Sequence, residues 1–586
     1  MIFYDFEVFK HDWLVVTIDP ITSIKKVIVN DATELREFYE QNKNTIWVGF
    51  NSRSYDSYIL KGILIGLKPY EITKFIIELG RKGWEYSREF NKISLINYDV
   101  YLGEIDNSLK TLEAFMGVSI HESSIPFDID RKLTPEEIIE TIKYCESDVV
   151  NLIRVFNQRK DIFVSYSNLI KHYHLPPSSF GKTRPQLASI VLNAERLKPA
   201  PLDEFKYVLP DCLQLGKYEY IREWFLNPVN HDYKKSLTVE IGNITHNIGF
   251  GGLHDCREKV NETGLLLSVD VASYYPNLIR QYNLMSRAVK KVSLYNEIIN
   301  ERVGLKKTNK PLADSLKIIL NSTYGAFKDK YNPMFDKRSA NSVAISGQLL
   351  LIDLIEKVEP YCEILNSNTD GILVKCETEG DIAKVKEVSN EWEKRSGMVL
   401  EYDEYNKFIS RDVNSYVLVD DKGHAKCKGA VKDLNALDYN LAIVNKALRA
   451  YLIDGVTPEE YIMSENNLID YMMVCKLKGD FKQIVHEENG NQVIYPNRVV
   501  RVFASTNRGD GKIGRVKETN TNQSTLDSFF YDEISCSVGT MYKFANTPLN
   551  CYIDNGDIRN VKCDSRLDKQ WYIDHVWDKL HTEWSK

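Results

Sequence analysis

Gly264-Leu-Leu-Leu-Ser-Val-Asp270-Val271-Ala-Ser273-Tyr274-Tyr275-Pro276 joins an apolar run to a turn of small, ring and proline side chains. A short apolar run bounded by turn signals predicts a buried strand over Gly264–Val271. Asp270 ends that strand, where a carboxylate can hold a cation at the lip of a sheet. Downstream, helical patterns over about 288–307 and 312–325 are broken by Thr308-Asn-Lys-Pro311, a spacing that suits an antiparallel helix pair. Lys317, Asn321 and Tyr324 recur at i, i+4 and i+7 on the second helix, hence on one face. Arg302 and Lys306 stand one turn apart on the first, so the pair can join these cations into a phosphate clamp. A helix over about 339–358 leads to a hairpin at 361–376, with Asp370 at its tip in Ser367-Asn368-Thr-Asp370-Gly371. Strands are expected at Asn414–Val419 and Ala425–Val431, and a glycine-rich turn at Gly249-Phe-Gly251-Gly252.

The N-terminal part carries a second set of acids. Asp5 and Glu7 are two apart on a strand predicted at Ile2–Val8, so both side chains leave the same face. Asp56 closes Asn51-Ser-Arg-Ser-Tyr-Asp56, after a short strand at Thr45–Gly49. A helix opens at Thr134-Pro-Glu-Glu, with proline in its first turn and acids behind it. Tyr144 and Asp148 lie one turn apart on it. Carboxylate oxygens suit hard divalent cations, and cleavage of a phosphodiester uses a pair of them about 4 Å apart. Tyr144 could hydrogen-bond the attacking water. These elements form an α/β domain ending near residue 160.

Composition bounds the rest. With 586 residues, 43 % hydrophobic and 11 % aromatic, the chain has ample core for several domains. Its net charge of −7 does not advertise a nucleic-acid binder. Phosphate contact is local, however, and the segment 301–330 is basic within an acidic chain. Ten scattered cysteines without a Cys-x-x-Cys pair argue against a structural zinc or iron–sulfur site and fit a reducing compartment. The opening residues show no signal-peptide pattern and no long apolar stretch predicts a membrane span. The expectation is a cytoplasmic protein, in the host cytoplasm for a viral chain.

In order and spacing, the N-terminal acids resemble the proofreading exonuclease motifs of family B DNA polymerases: Asp-x-Glu, Asn-x-x-x-(Phe/Tyr)-Asp and Tyr-x-x-x-Asp. Ser108-Leu109-Lys-Thr-Leu112 is similar to the primer-end-binding element of the phage branch. The later set resembles the same family's polymerase motifs: Asp-x-x-Ser-Leu-Tyr-Pro, Lys-x-x-x-Asn-Ser-x-Tyr-Gly and Asp-Thr-Asp-Ser. The resemblance implies an α/β multidomain protein, an RNase H-like 3′→5′ exonuclease followed by a right-hand polymerase. Its parts would be the exonuclease (1–160), a linker with the N-terminal palm (161–287), fingers (288–327), the C-terminal palm (328–431) and a thumb (432–586).

By that resemblance Asp5, Glu7, Asp56 and Asp148 hold one pair of magnesium ions, or manganese in their place, with Tyr144 beside them. Asp270, the Val271 carbonyl and Asp370 hold a second pair. Arg302, Lys306 and Lys317 would grip a dNTP triphosphate, with Ser273 and Tyr274 alongside. Tyr275 would lie under the sugar and exclude a 2′ hydroxyl, while Asn321 and Tyr324 pack on the nascent base pair. Asn51, Ser108, Leu109, Gly251, Gly252, Tyr416 and Lys428 would contact primer-template DNA.

The sequence also departs from the pattern. The third polymerase motif has an amide, Asn368, for its first acid and Gly371 for its serine. The Lys-x-Tyr primer element reads Asn414-Ser-Tyr416, with Lys428 near enough in sequence to replace the missing lysine. The glycine turn lacks the tyrosine of the family's Tyr-x-Gly-Gly linker. The intervals between the three polymerase motifs leave no room for the insertions of protein-primed members. A compact, phage-type monomer extending nucleic-acid primers is therefore expected, with a single-strand-binding protein, helicase or clamp as candidate partners. A nuclease whose polymerase half has decayed, and a noncatalytic DNA-binding scaffold, are the alternatives.

Overall fold

The strand Ile2–Val8 (β1) is buried along almost its whole length and becomes the middle of a five-stranded sheet. The computed structural model describes residues 1–103, 106–199, 201–517 and 540–584; Cys536 lies outside them, and the nine described cysteines are unpaired. β1 pairs antiparallel with Trp13–Ile18 (β2), which pairs with Lys25–Val29 (β3). On its other side it runs parallel to Trp47–Gly49 (β4), followed by Asn97–Asp99 (β5). The helices of this part are Ala32–Asn42 (α1), Asp56–Leu64 (α2), Pro69–Thr73 (α3), Leu109–Phe115 (α4) and Pro135–Gln158 (α5).

α5 begins in a capping box, with Thr134 and Glu137 each satisfying the other's backbone N–H. It packs across β1 and β2 and is a single helix of 24 residues. Lys160–His172 (α6) follows directly and packs on a helix of the central part. One apolar core runs from Phe3 and Tyr98 through Tyr166 and Phe180 to Leu278, Leu349 and Val374.

Arg184–Val191 (α7), Glu219–Leu226 (α8) and the hairpin Leu237–Ile241 (β6) with Ile244–Ile248 (β7) lead to a seven-stranded sheet. Its strands are His254–Cys256 (β8), Val260–Val271 (β9), Glu363–Asn368 (β10), Gly371–Cys376 (β11), Leu400–Asp412 (β12), Ser415–Val419 (β13) and Ala425–Cys427 (β14). The order is β14-β13-β12-β9-β11-β10-β8, so the strand bearing Asp270 sits at the centre. Tyr274–Gln281 (α9) leaves its end. Ser293–Leu305 (α10) and Lys310–Lys328 (α11) pack on each other as the expected pair. Lys337–Val358 (α12) is buried on nearly all sides, as its apolar and small residues all round the helix require. Glu379–Ser396 (α13) closes this part.

Beyond residue 432, Ala442–Asp454 (α14), Pro458–Ser464 (α15) and Lys569–Lys579 (α16) share a separate apolar core. Between them lie Met473–Lys476 (β15), Gln483–Glu488 (β16), Asn491–Tyr495 (β17), Val499–Ala504 (β18), Asp510–Val516 (β19), Tyr542–Lys543 (β20) and Cys551–Ile553 (β21). They form a three-stranded sheet, β15-β18-β21, and a four-stranded one, β17-β16-β19-β20. The chain is thus a mixed α/β multidomain protein with several sheets. Among the described residues no helix is long and apolar enough to cross a membrane.

Candidate active sites

The period-two geometry of β1 sends Asp5 and Glu7 from one face of the N-terminal sheet, and a ligand atom of each comes within 4.8 Å of the other. Asp56, the first residue of α2, joins them: the Phe6 N–H between the two acids donates to Asp56 Oδ1 at 3.3 Å. Asp148 closes the group from α5, one turn beyond Tyr144, which holds its pKa down against burial. Burial raises the pKa of all four acids. Asp56 and Glu7 push Asp5 up further, and Asp148 does the same to Glu7. Asp56 reaches about 7, burial outweighing its backbone hydrogen bonds. Four carboxylates that repel one another in a buried corner suit a site for positive charge.

Part of that charge comes from Lys110, on α4. Its Nζ pairs with Asp148, reaches Glu113 Oε1 at 3.5 Å and lies 4.4 Å from the centroid of the Tyr144 ring. Burial works against the ammonium, but Asp148 and Glu113 outweigh it and raise its pKa. Glu113 is wholly buried, and desolvation pushes it to about 8. Cys145 also touches Asp5, but burial and the neighbouring acids keep it a thiol, unsuited to a hard cation. Ser108 caps α4, its Oγ accepting from the Thr111 N–H, and Leu109 packs against the core behind the helix. Asn51 is exposed in a left-handed turn (φ 57°).

The second site lies at the end of β9. Asp270 and Asp370 line one cavity of about 370 Å³ together with Val271, Tyr416, Lys426 and Lys428. A neighbouring cavity of about 540 Å³ is lined by Tyr274, Tyr275, Arg302, Lys306, Lys317 and Asn321. Asp370, Ser273 and Glu401 belong to both. Burial raises Asp270 and Asp370, and Asp270 raises Asp370 further, while Lys426 lowers both. Ser268 Oγ steadies Asp270 through a 2.9 Å hydrogen bond.

Two residues flanking this junction, Ser273 (φ 49°) and Thr369 (φ 55°), adopt the left-handed conformation. For L-residues it costs about 1–2 kcal/mol each. Thr369 is held by its N–H donating to Leu253 O at 2.6 Å. Gly252 lies against it: a Cβ there would stand 3.1 Å from Thr369 Cγ2. Gln348 Nε2 donates to the Gly251 carbonyl at 2.8 Å. The glycine turn therefore seats the hairpin tip.

Some expected contacts fall elsewhere. Tyr324 does not line the cation-lined cavity but packs on Tyr275, ring centroids 4.6 Å apart. Tyr274 is buried and spends its hydroxyl on Gly347 O at 2.7 Å. Lys110, Glu113, Glu401 and Lys426 were not singled out by motif. Lys110 lies inside the Ser108–Leu112 element, but nothing in that element signals a partner 38 residues away. Glu401 sits on β12 directly opposite Asp270, and the alternation of a strand cannot reveal which strand will be its neighbour. A scan against models of protein families and a search of curated proteins found no match to this chain.

Proposed function

We propose that this chain is a template-directed DNA polymerase of the family B type with a 3′→5′ proofreading exonuclease. The observation that carries the reading is the junction at Asp370. There a carboxylate pair opens on one side toward Tyr416 and Lys428 and on the other toward Arg302, Lys306 and Lys317. A primer end entering from the first side and a triphosphate from the second would meet at the acids. The seven-stranded sheet serves as a palm, α10 and α11 as fingers, the part beyond residue 432 as a thumb, and the N-terminal sheet as an RNase H-like exonuclease.

Asp270, Asp370 and the Val271 carbonyl supply hard oxygen donors that suit magnesium, with manganese as its substitute, as do Asp5, Glu7, Asp56 and Asp148. Bound there, a cation pair would activate the attacking oxygen and stabilise the leaving one. The chain's own work is positioning and charge neutralisation. Arg302, whose Nε is buried without a partner among the described residues, Lys306 and Lys317 bind the triphosphate. Tyr275, stacked on Tyr274 (14° between planes) and braced by Tyr324, presents a rigid floor under the sugar. At the first site Tyr144 orients water, and Lys110 holds Asp148 in place.

The test is extension of a primed template with dNTPs and magnesium, and shortening of the same primer without dNTPs. Both activities are expected from one preparation. Shortening without extension would leave a nuclease; neither, with DNA binding intact, would leave a scaffold.

A further inference from the structure

Between Asn107 and Glu122 the chain leaves the N-terminal sheet and lies against the C-terminal part. Lys476 Nζ donates to Asn107 Oδ1 at 2.7 Å, and the Arg498 N–H to Glu122 Oε1 at 2.7 Å. The Ile120 N–H donates to Asn555 O and the Ile558 N–H to Gly117 O, both at 2.9 Å. Ala114, Ile120 and Val499 share a small apolar cluster. Gly117 turns through φ 69°, and a Cβ there would stand 2.6 Å from Ile469 Cδ1, so this close approach needs glycine.

Arg501, on β18, sits in the middle of this contact with no exposed surface. Among the described residues its side-chain donors go to carbonyls alone. Nε donates to Asp554 O at 3.0 Å, Nη2 to Gly556 O, and Nη1 to Val118 O at 3.0 Å and Ala114 O at 3.5 Å. A buried guanidinium without a bound carboxylate is costly, and an apolar side chain would fill the space more cheaply. What the cation adds is at the end of α4. Ala114 lies in the last turn of that helix, where the dipole is negative, and its carbonyl accepts from Arg501 Nη1 besides the Gly117 N–H at 3.1 Å. α4 has seven residues and is marginal alone. One turn back it carries Lys110, paired with Asp148, and next to Ala114 it carries Glu113.

We infer that Arg501 is a positioning residue for 3′→5′ degradation. By clamping the end of α4 from the thumb side, it sets Lys110 against Asp148. The N-terminal acids are thus completed by a residue 387 positions beyond Ala114. The inference rests on the reading of the first site as an exonuclease.

The experiment uses the full-length protein with Arg501→Met, Arg501→Lys and Lys476→Ala. Degradation of a single-stranded oligonucleotide, primer extension, and hydrogen exchange over residues 108–122 are measured on the same preparations. Arg501→Met is expected to lower kcat for degradation on the order of 10- to 100-fold, as a displaced catalytic group does. KM and extension should stay within about twofold, since neither substrate binding nor the other site is touched. Exchange over α4 should quicken. Arg501→Lys keeps the charge but loses the fork and falls between. Lys476→Ala, which removes only a partly exposed hydrogen bond, should show a smaller loss of the same kind even if Arg501→Met does not fold. Unchanged degradation in all three, or extension falling in parallel with it, overturns the inference. A wild type that degrades nothing counts against the exonuclease reading instead, and unchanged exchange over α4 would still overturn the role of Arg501.

Discussion

Asp270 stands directly opposite Gly371 across β9 and β11, and its carboxylate fills the space that a Cβ at position 371 would take. Residues facing each other across antiparallel strands share a pleat face, so the two compete for one volume. The glycine at position 371 is therefore a steric condition for the place Asp270 occupies. Gly371→Ala should push the Asp270 carboxylate aside and lower extension about 100-fold, the scale of a misplaced catalytic group. Degradation by the first site should be unaffected. Steady-state extension and degradation assays on one preparation check this, and wild-type extension in Gly371→Ala would show that Asp270 can sit elsewhere.

The two sets of acids should be separable. Asp370→Ala is expected to lower extension on the order of 1,000-fold while sparing degradation, and Asp5→Ala with Glu7→Ala the reverse. A labelled primer followed with and without dNTPs reads both. Loss of both activities in either variant would mean that the sites do not work independently.

Tyr275 packs on Tyr274 and Tyr324, ring centroids 6.2 and 4.6 Å apart, and in the proposed polymerase it lies under the sugar. Tyr275→Ala should reduce discrimination against ribonucleotides roughly 10- to 100-fold, measured as the ratio of kcat/KM for dNTP and rNTP. An unchanged ratio would move the sugar selection to another side chain.

Glu401 faces Asp270 from the strand opposite to Gly371 and borders both cavities. It supplies negative charge that Asn368 does not. Glu401→Gln should raise the magnesium concentration needed for half-maximal extension about tenfold, the scale of a lost supporting carboxylate. Adding Asn368→Asp should restore it. Calorimetric titration of manganese into the protein gives the same comparison without catalysis; equal affinities would exclude Glu401 from the site.

His246 braces the hairpin that carries Asp370, its Nε2 2.7 Å from Ser367 Oγ and its Nδ1 2.9 Å from Ile244 O. Burial holds its pKa below the ordinary 6.5. The unfolded chain then binds more protons than the folded one as pH falls through 6.5, so stability is full above that pH and declines below it. Urea midpoints at about pH 7.5 and about pH 5.5 should differ more for the wild type than for His246→Gln. An equal difference would assign the acid sensitivity to other groups, such as His575, which burial also lowers.

Much of the local structure was legible in the chain itself. The apolar run before Asp270, the Thr134-Pro-Glu-Glu start of α5 and the split helix pair around Pro311 each specify an element through neighbouring residues. Asp5 with Glu7, and Tyr144 with Asp148, could be placed on common faces because strand and helix periods are fixed by backbone geometry. Tertiary structure alone decided what crosses between elements. It paired Lys110 with Asp148, set Glu401 and Gly371 on either side of Asp270, turned Tyr324 onto Tyr275, and ran one core through the boundary expected near residue 160. It also put Arg501 beneath α4. The physical reason is range: dihedral preferences and side-chain periods act over a few residues, whereas strand order, charge pairing and burial depend on which distant segments the folded chain brings within a few ångströms.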